Sequence, residues 1–333
     1  MSFNIAILGA TGAVGQEFLT VLAERKFPIK NLKLLASARS AGKKIEFMGQ
    51  TYTVEEVTKD SFKDVKFAFF SAGGSISKEF APAAVQSGAV VIDNTSAFRM
   101  KEGVPLVVPE VNPEQIHKHN GLIANPNCST IIMNVPVWPL HKQFRVKRII
   151  VSTYQAVSGA GAWGLYELES QMKQAVGGLA ITKEKFPHQI VNNIFSHNTK
   201  IAENGYNEEE NKMVNETRKI FGDPKIMITA TCIRVPIPRA HSESINLEFE
   251  RPVTPQMVRD ILSKSPGVKI VDDRDANHFP MPLEATNQDD VLVGRIRQDI
   301  SRDDGRGIDI FVAGDQIRKG AATNAVQIAE KMI

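Results

Sequence analysis

Only two cysteines, Cys128 and Cys232, occur in the 333-residue chain, and no C-x-x-C spacing is present. That scarcity excludes a disulfide scaffold and a cysteine zinc site, so no metal is expected and a reducing compartment, the cytoplasm, is. No apolar run reaches the roughly 20 residues of a membrane-spanning helix. The opening Met1-Ser2-Phe3-Asn4-Ile5 runs straight into a strand-like stretch without the basic and apolar regions of a leader. A dominant charge sign is missing too. Net charge is +3 with both signs interspersed, which argues against a nucleic-acid or membrane partner. Internal repeats and low-complexity tracts are absent. What is present, 42% apolar and 23% charged residues in a chain of this length, suits two globular domains.

Phe3-Asn4-Ile5-Ala6-Ile7-Leu8 reads as a buried strand that ends in Gly9-Ala10-Thr11-Gly12-Ala13-Val14-Gly15. Val14, Phe18, Val21 and Leu22 then recur at helical spacing, which puts the glycines on a strand-to-helix turn. In that context the turn reads as dinucleotide-binding. Gly9 permits the turn, Gly12 lets the backbone approach a pyrophosphate, and Gly15 lets helix and strand pack closely. The spacing is GxxGxxG, a less specific variant of GxGxxG. A second strand, residues 32–36, ends in Ser37-Ala38-Arg39-Ser40. No acidic residue stands there to accept from a ribose 2′-hydroxyl, whereas a cation between hydroxyls suits a 2′-phosphate, so the cofactor is read as NADP. Residues 65–70 form a further buried strand before the glycine turn Ser71-Ala72-Gly73-Gly74. Residues 90–92, 106–108 and 122–124 continue the alternation of strand and helix. The pattern predicts a Rossmann-like, doubly wound parallel sheet.

Asn125-Pro126-Asn127-Cys128-Ser129-Thr130 follows the last of these strands. Pro126 keeps Asn125 out of the α region, so the chain turns before the next helix starts, and Cys128 falls at or near its N-terminus. Backbone N–H groups and the helix dipole favour a thiolate there, drawing a thiol of ordinary pKa about 8.5 toward ionisation near neutrality. A single cysteine is ordinarily a small buried hydrophobe, so chemistry at Cys128 requires partners from elsewhere in the chain.

From residue 146 the character changes. Residues 148–154 read as a strand, Gln155-Ala156-Val157-Ser158-Gly159-Ala160-Gly161 as a mobile loop, 162–178 as a helix and 179–206 as mostly irregular. Asn207 with Glu210 fits a capping pair, which leaves Glu209 and Lys212 as neighbours on the helix surface. On their own they would be a solvated ion pair contributing about 0.5 kcal/mol or less. Residues 226–233 form a strand with Cys232 inside it as a structural residue, and Arg234-Val235-Pro236-Ile237-Pro238-Arg239-Ala240-His241-Ser242 follows. Residues 244–249 alternate as a half-exposed strand and 255–263 read as a helix, giving an α+β second domain. A final amphipathic helix over 321–332 is expected to return to the nucleotide domain.

Taken in order, the Gly9-to-Gly15 turn, Ser37-Ala38-Arg39-Ser40, Asp93-Asn94-Thr95-Ser96-Ala97-Phe98-Arg99, Asn125 to Thr130, Gln155 to Gly161, Glu209-x-x-Lys212 and Arg234 to His241 resemble the bacterial-type aspartate-β-semialdehyde dehydrogenases. The resemblance runs from residue 3 to Lys319-Gly320-Ala321-Ala322-Thr323-Asn324. It implies NADPH-dependent reductive dephosphorylation of L-aspartyl-4-phosphate to L-aspartate 4-semialdehyde, on the route to lysine, methionine and threonine. It matches Cys128 to the nucleophile, His241 to the general acid/base and Gln155 to a residue holding substrate and thioester. Arg234 matches the partner of the substrate carboxylate and Glu209 that of its amino group, while Arg99, Asn127 and Lys212 match phosphate-binding groups. Cofactor contacts are implied for Gly9, Thr11, Gly12, Ala13, Val14, Ser37, Arg39, Ser40, Ala72, Gly73, Ser158, Gly159 and Asn324. The implied domains are an NADP-binding domain of residues 1–127 plus 316–333 and a catalytic and dimerisation domain of 128–315, joined into a homodimer or homotetramer.

The chemistry requires these residue types in its own right. A thiolate attacks an acyl phosphate to give a thioester, which accepts hydride more readily than an oxygen ester. The resulting oxyanion needs a proton, which a histidine can supply. A phosphate dianion needs cations, and a planar guanidinium suits a carboxylate. Each of the other six histidines is read as an ordinary core or surface residue. Thr95 stands where many relatives have Ser, and Ile237-Pro238-Arg239-Ala240 replaces a stretch that often has Gly before the histidine, which leaves the path of that loop open. N-acetylglutamyl-phosphate reductase is the nearest alternative, but its nucleophile motif reads Asn-Pro-Gly-Cys-Tyr. A silent NADP-binding paralogue would have no chemical need for Cys128, Gln155, Arg234 and His241 together.

Overall fold

Ile5 and Ile7 belong to one apolar core while Ala6 and Leu8 between and beyond them belong to another. The same split separates Phe67 and Phe69 from Ala68 and Phe70. Strand side chains alternate between faces, so a continuous apolar strand requires a packed layer on each side. In the computed structural model, which describes residues 2–333, these strands are β1 (Phe3–Leu8), β2 (Ile29–Ala36), the hairpin β3 (Lys44–Phe47) and β4 (Gln50–Thr53), β5 (Glu55–Glu56), β6 (Phe67–Phe70), β7 (Val90–Asp93) and β8 (Leu122–Ala124). Six of them form one sheet in the order β5-β2-β1-β6-β7-β8, every pair parallel. Helix α1 (Ala13–Glu24) places Phe18 and Leu22 in the first core, together with Ala325 and Ile328 of the C-terminal helix Thr323–Glu330. Helix α2 (Gly74–Gln86) covers the other face with Phe80, Ala81 and Ala84. This is the doubly wound parallel sheet expected.

Residues 106–108 depart from the expectation, forming an extended segment with a single bridge from Leu106 to Ala124. Asn112 folds back to it, accepting from Val108 N at 2.9 Å and donating to Leu106 O at 2.9 Å. Backbone groups spent on a side chain cannot extend a ladder. The final helix also differs: a π turn over Arg318–Ala322 precedes it, so α geometry starts at Thr323 rather than 321.

The two compact units are Met1–Asn127 with Ala321–Ile333, and Cys128–Gly320. Residues 316–320, expected with the nucleotide domain, therefore lie in the second unit. Asp315 Oδ1 accepts from the N–H groups of Ile317 and Arg318, and Gln316 Oε1 accepts from Ala240 N at 2.8 Å, so the segment is tied to the strands before it.

The second unit opens on α3 (Cys128–Phe144), whose residues are buried on nearly every side, which is why it shows no amphipathic stripe. β9 (Val146–Gln155), α4 (Ala162–Val176), β10 (Phe195–Ser196), α5 (Glu208–Phe221), β11 (Met227–Arg234), β12 (His241–Phe249), α6 (Pro255–Leu262), β13 (Val268–Ile270), α7 (Pro282–Ala285), β14 (Val291–Gln298) and β15 (Gly307–Gly314) follow. The sheet order is β10-β11-β9-β12-β15-β14-β13 with parallel and antiparallel pairs mixed, the α+β arrangement expected. β12 lies between β9 and β15, so His241 stands at the start of a central strand. The irregular stretch after α4 is held by two side chains of that helix. Glu167 Oε2 accepts from the N–H groups of Glu184, Lys185 and Phe186, and Gln171 Oε1 from those of Ile190 and Val191.

Candidate active site

The nucleotide turn is built from close backbone approach. Gly9, at φ +93°, is followed at the start of α1 by Gly12 as N-cap, with no side chain capping it and no acid in the first turn. A Cβ on Gly9 would lie 2.6 Å from Ser71 O, and one on Gly15 would lie 2.2 Å from Gly9 O. Glycine is therefore obligatory at both positions. β1 and β6 end side by side where the sheet order reverses, and ligands of such sheets bind at that point. The uncapped helix N-terminus suits an anion, so the residues present fit a dinucleotide pyrophosphate. Thr11 Oγ1 donates to Ser40 Oγ at 3.4 Å, joining the turn to the end of β2, and Ser37 and Arg39 stand exposed beside it. Ala13 and Val14 open α1, and Ala72 and Gly73 lead from β6 into α2. Asn324 is buried, with Nδ2 donating to Val107 O at 2.9 Å and Asn125 Oδ1 at 2.7 Å, so its amide holds the C-terminal helix to this unit.

Arg99 is also buried in the first unit. Its Nε donates to Asn125 O and its Nη2 to Asn94 O, each at 2.9 Å. Asp93 organises the same loop by accepting from Ser77, Thr95 N and Thr95 Oγ1, while burial raises its pKa above the ordinary carboxylate value. Thr95 thus keeps the hydroxyl role expected of Ser. Asn127, likewise buried, is the last residue before α3.

In the second unit Cys128 is the first residue of α3, with no acid in the first turn, as Pro126 led one to expect. A Cβ on Gly320 would lie 2.9 Å from Cys128 Cβ, so only glycine lets that chain pass the thiol. Next to Cys128, Ser129 Oγ accepts from Gln155 Nε2 at 3.0 Å, and the same nitrogen donates to Glu209 Oε1 at 3.0 Å. Glu209 Oε2 pairs with Lys212 at 3.1 Å. The glutamate side chain is 6% exposed, so the pair is no solvated surface bridge. Asn207 and Glu210 make the expected capping box, and Glu210 also accepts from Cys232 N at 3.0 Å. Cys232 is fully buried, and burial pushes its thiol pKa far up, so it is the inert cysteine.

Arg234, at the end of β11, donates through Nη1 to Ala156 O at 2.6 Å and through Nη2 to His197 Nε2 at 2.7 Å. Its Nε is buried without a partner among the described residues. Burial lowers the guanidinium pKa, and the charges of Glu209 and Cys128 oppose that shift. His241 is fully buried, and its Nδ1 accepts from Ala156 N at 2.9 Å. Burial first, and then the charge of Arg234, push its pKa well below the ordinary histidine value. The neutral ring therefore carries its proton on Nε2, which has no partner among the described residues. Gly159 lies against both groups: a Cβ there would be 3.3 Å from Arg234 Nη1 and 3.3 Å from His241 Nε2. Ser158 Oγ donates to Pro238 O at 2.6 Å and accepts from Gln316. The loop before His241, whose path was open, is fixed by Arg239 on Asp315 at 2.7 Å, with Ala240 in the left-handed region at φ +69°.

The structure thus gathers Cys128, Gln155, Glu209, Lys212, Arg234 and His241 in one unit. Sequence reasoning passed over His197 and Thr199, which touch the Arg234 and Glu209 groups, and no periodicity marked them.

A doubly wound dinucleotide sheet followed by this unit defines a two-domain NAD(P)-binding oxidoreductase. Residues 4–119 match the model of the semialdehyde dehydrogenase NAD-binding domain, and residues 137–319 that of the semialdehyde dehydrogenase dimerisation domain. An aspartate-semialdehyde dehydrogenase of Synechocystis is 54% identical over 99% of this chain and 97% of its own length. Among solved structures, aspartate semialdehyde dehydrogenase II of Vibrio cholerae complexed with ASA superposes with a TM-score of 0.97 at 46% identity, covering 100% of this chain and 98% of that one. The Candida albicans enzyme with NADP gives 0.77 at 25% identity, covering 100% and 98%. The chain belongs to the aspartate-semialdehyde dehydrogenase family. Neither a reductase for N-acetylglutamyl phosphate nor a silent paralogue is favoured by these relatives. Among the described residues no helix is long and apolar enough to cross a membrane.

Proposed function

We propose that this chain reduces L-aspartyl-4-phosphate to L-aspartate 4-semialdehyde, reversibly, through a thioester on Cys128 and with NADPH as reductant. The observation that carries the reading is the assembly of a cysteine at the head of α3 with buried Arg234, Glu209 and His241 in a chain matched along its length by aspartate-semialdehyde dehydrogenases. The Cys128 thiolate attacks the acyl carbon, the carbon–oxygen bond to phosphate breaks, and phosphate leaves. Bound dinucleotide supplies the hydride that reduces the thioester. His241 presents Nε2–H to the oxyanion of the resulting thiohemiacetal, and collapse of that adduct re-forms the carbonyl, breaks the carbon–sulfur bond and releases the aldehyde and the thiolate. Gln155 positions the acyl group beside Ser129 and Glu209. Arg234 takes the substrate carboxylate and Glu209 its ammonium group. Arg99, Asn127 and Lys212 are assigned to phosphate, each to be tested by its own effect on the KM for phosphate.

Dinucleotide binding is assigned to Gly9, Thr11, Gly12, Ala13, Val14, Ala72, Gly73, Ser158, Gly159 and Asn324. Ser37, Arg39 and Ser40 are assigned to the 2′-phosphate, which selects NADP over NAD. The match of residues 137–319 to a dimerisation domain supports pairing of two chains through the second unit. A catalytic free thiol suits the reducing cytoplasm. The test is the phosphate-dependent reduction of NADP with aspartate semialdehyde, followed at the reduced-nicotinamide absorbance band. Well-folded protein that gives no signal with either dinucleotide would refute the reading.

A further inference from the structure

The stretch between α4 and α5 carries a second constellation that the mechanism leaves unused. β10 pairs antiparallel with the end of β11, setting Phe195 opposite Arg234 and Ser196 opposite Ile233. His197 comes next, its N–H on Cys232 O at 2.8 Å. An arginine has only donors, so His197 Nε2 must be the acceptor for Arg234 Nη2. The proton then sits on Nδ1, which lies 3.3 Å from Thr199 Oγ1. That hydroxyl in turn accepts from the N–H of Glu209 at 3.3 Å. One five-residue turn of chain thus holds the arginine assigned to the substrate carboxylate and the glutamate assigned to its ammonium group. The ring of Phe186 lies 5.8 Å from the Arg234 guanidinium on another side.

We propose that His197, with Thr199, is a positioning residue that sets specificity for the α-amino acid end of the substrate by keeping Arg234 and Glu209 apart. The inference rests on the roles given above to those two residues. Arg234 and Glu209 are opposite charges in a buried setting, and Glu209 is the foremost charge favouring the guanidinium. Left unrestrained, they would neutralise one another. Ala156 O and His197 hold the guanidinium while Gln155 and Lys212 hold the carboxylate, so each retains charge for a zwitterion. His197 is suited to this because it stays neutral: burial, against the opposing charge of Glu209 and with Arg234 and Lys212 adding, lowers its pKa to about 4.

The test compares His197→Phe, which keeps a ring but no acceptor, with His197→Gln, whose carbonyl can replace it, and Thr199→Val. Steady-state kinetics are measured with aspartate semialdehyde and with succinate semialdehyde, which lacks the amino group. His197→Phe and Thr199→Val are expected to raise KM for aspartate semialdehyde by roughly 10-fold or more with kcat within about threefold, and to narrow the preference over succinate semialdehyde. His197→Gln is expected to restore both. Arg234→Ala serves as the reference. An unchanged KM in Arg234→Ala would refute the role given to Arg234 itself. A raised KM there with unchanged values in His197→Phe and Thr199→Val would overturn the present inference, as would a loss confined to kcat. Melting temperatures accompany each variant, and His197→Ala replaces His197→Phe if the latter does not fold.

Discussion

The backbone N–H of Ala156 donates to Nδ1 of His241 at 2.9 Å, so one backbone amide selects the tautomer of the histidine assigned to proton transfer. Sequence reasoning assigns this residue a general acid/base role, and the geometry adds direction. With Nδ1 occupied, the group presented to substrate is the Nε2–H donor, and acting as a base at Nε2 first requires that proton to leave. His241→Ala is expected to lower kcat by roughly 10²–10⁴-fold while leaving the KM for NADP within about threefold. Single-turnover measurement of hydride transfer checks it, and a near wild-type rate would remove His241 from the proton-handling step.

Glu243 lies two residues beyond His241 on β12, flanked by Thr153 on β9 and Val312 on β15. It is fully buried, and neither carboxyl oxygen has a partner among the described residues. Burial raises its pKa well above the ordinary 4.5, so the folded protein holds its proton more tightly than the unfolded chain. The folded state then binds more protons than the unfolded one as pH rises above the ordinary carboxylate range, and stability falls through that window. Glu243→Gln keeps the shape without the titration. It is expected to raise the melting temperature at neutral pH, by roughly 2–4 °C for each kcal/mol gained, and to flatten its decline with rising pH. Calorimetry across pH decides, and a lower melting temperature for the variant would contradict the account.

The two thiols differ in setting. Cys128 is partly accessible at a helix N-terminus, and Cys232 is buried. Iodoacetamide is expected to modify one thiol per chain in the folded protein and to abolish turnover with it. Cys128→Ser should lose activity by about 10³-fold or more while keeping dinucleotide binding. Peptide mapping that finds Cys232 modified first would reverse the assignment.

Arg39 is exposed on the short 3₁₀ turn Ala38–Ser40 at the end of β2. A charge-assisted contact of about 1.5–3 kcal/mol corresponds to roughly 10–100-fold in affinity. Arg39→Ala is therefore expected to weaken NADP by about that factor and to leave NAD nearly unchanged. Titration calorimetry with both dinucleotides measures it, and equal losses for the two would show that Arg39 does not read the 2′-phosphate.

Local signals were readable before the structure. Pro126 with apolar triplets on each side located Cys128 at a helix start, and the Asn207–Glu210 capping box needed only its own four residues. Periodicity also told β1 and α1 apart. What escaped was made by pairing across distance. His197 meets Arg234 across 37 positions because a two-residue strand finds the end of β11, and nothing in so short a strand advertises a partner. Glu167 collects three N–H groups of the loop after α4, and nothing in the local pattern of that helix marks the task. Residues 106–108 were apolar enough for a strand, but Asn112 had already claimed their backbone.

The C-terminal helix contributes Ala325, Val326, Ile328 and Ala329, with Ala322 just before it, to the core that also holds Ile5 and Ile7 of β1. The first unit is therefore closed by two stretches of chain with the whole of the second unit between them. Residues 128–320 hold their contacts within their own unit, whereas the face of the nucleotide sheet that α1 covers in part is filled only when residues 321–333 return to it. Loss of residues 321–333 would open the core around β1 and α1, at the opposite end of the chain, rather than the unit that directly precedes them.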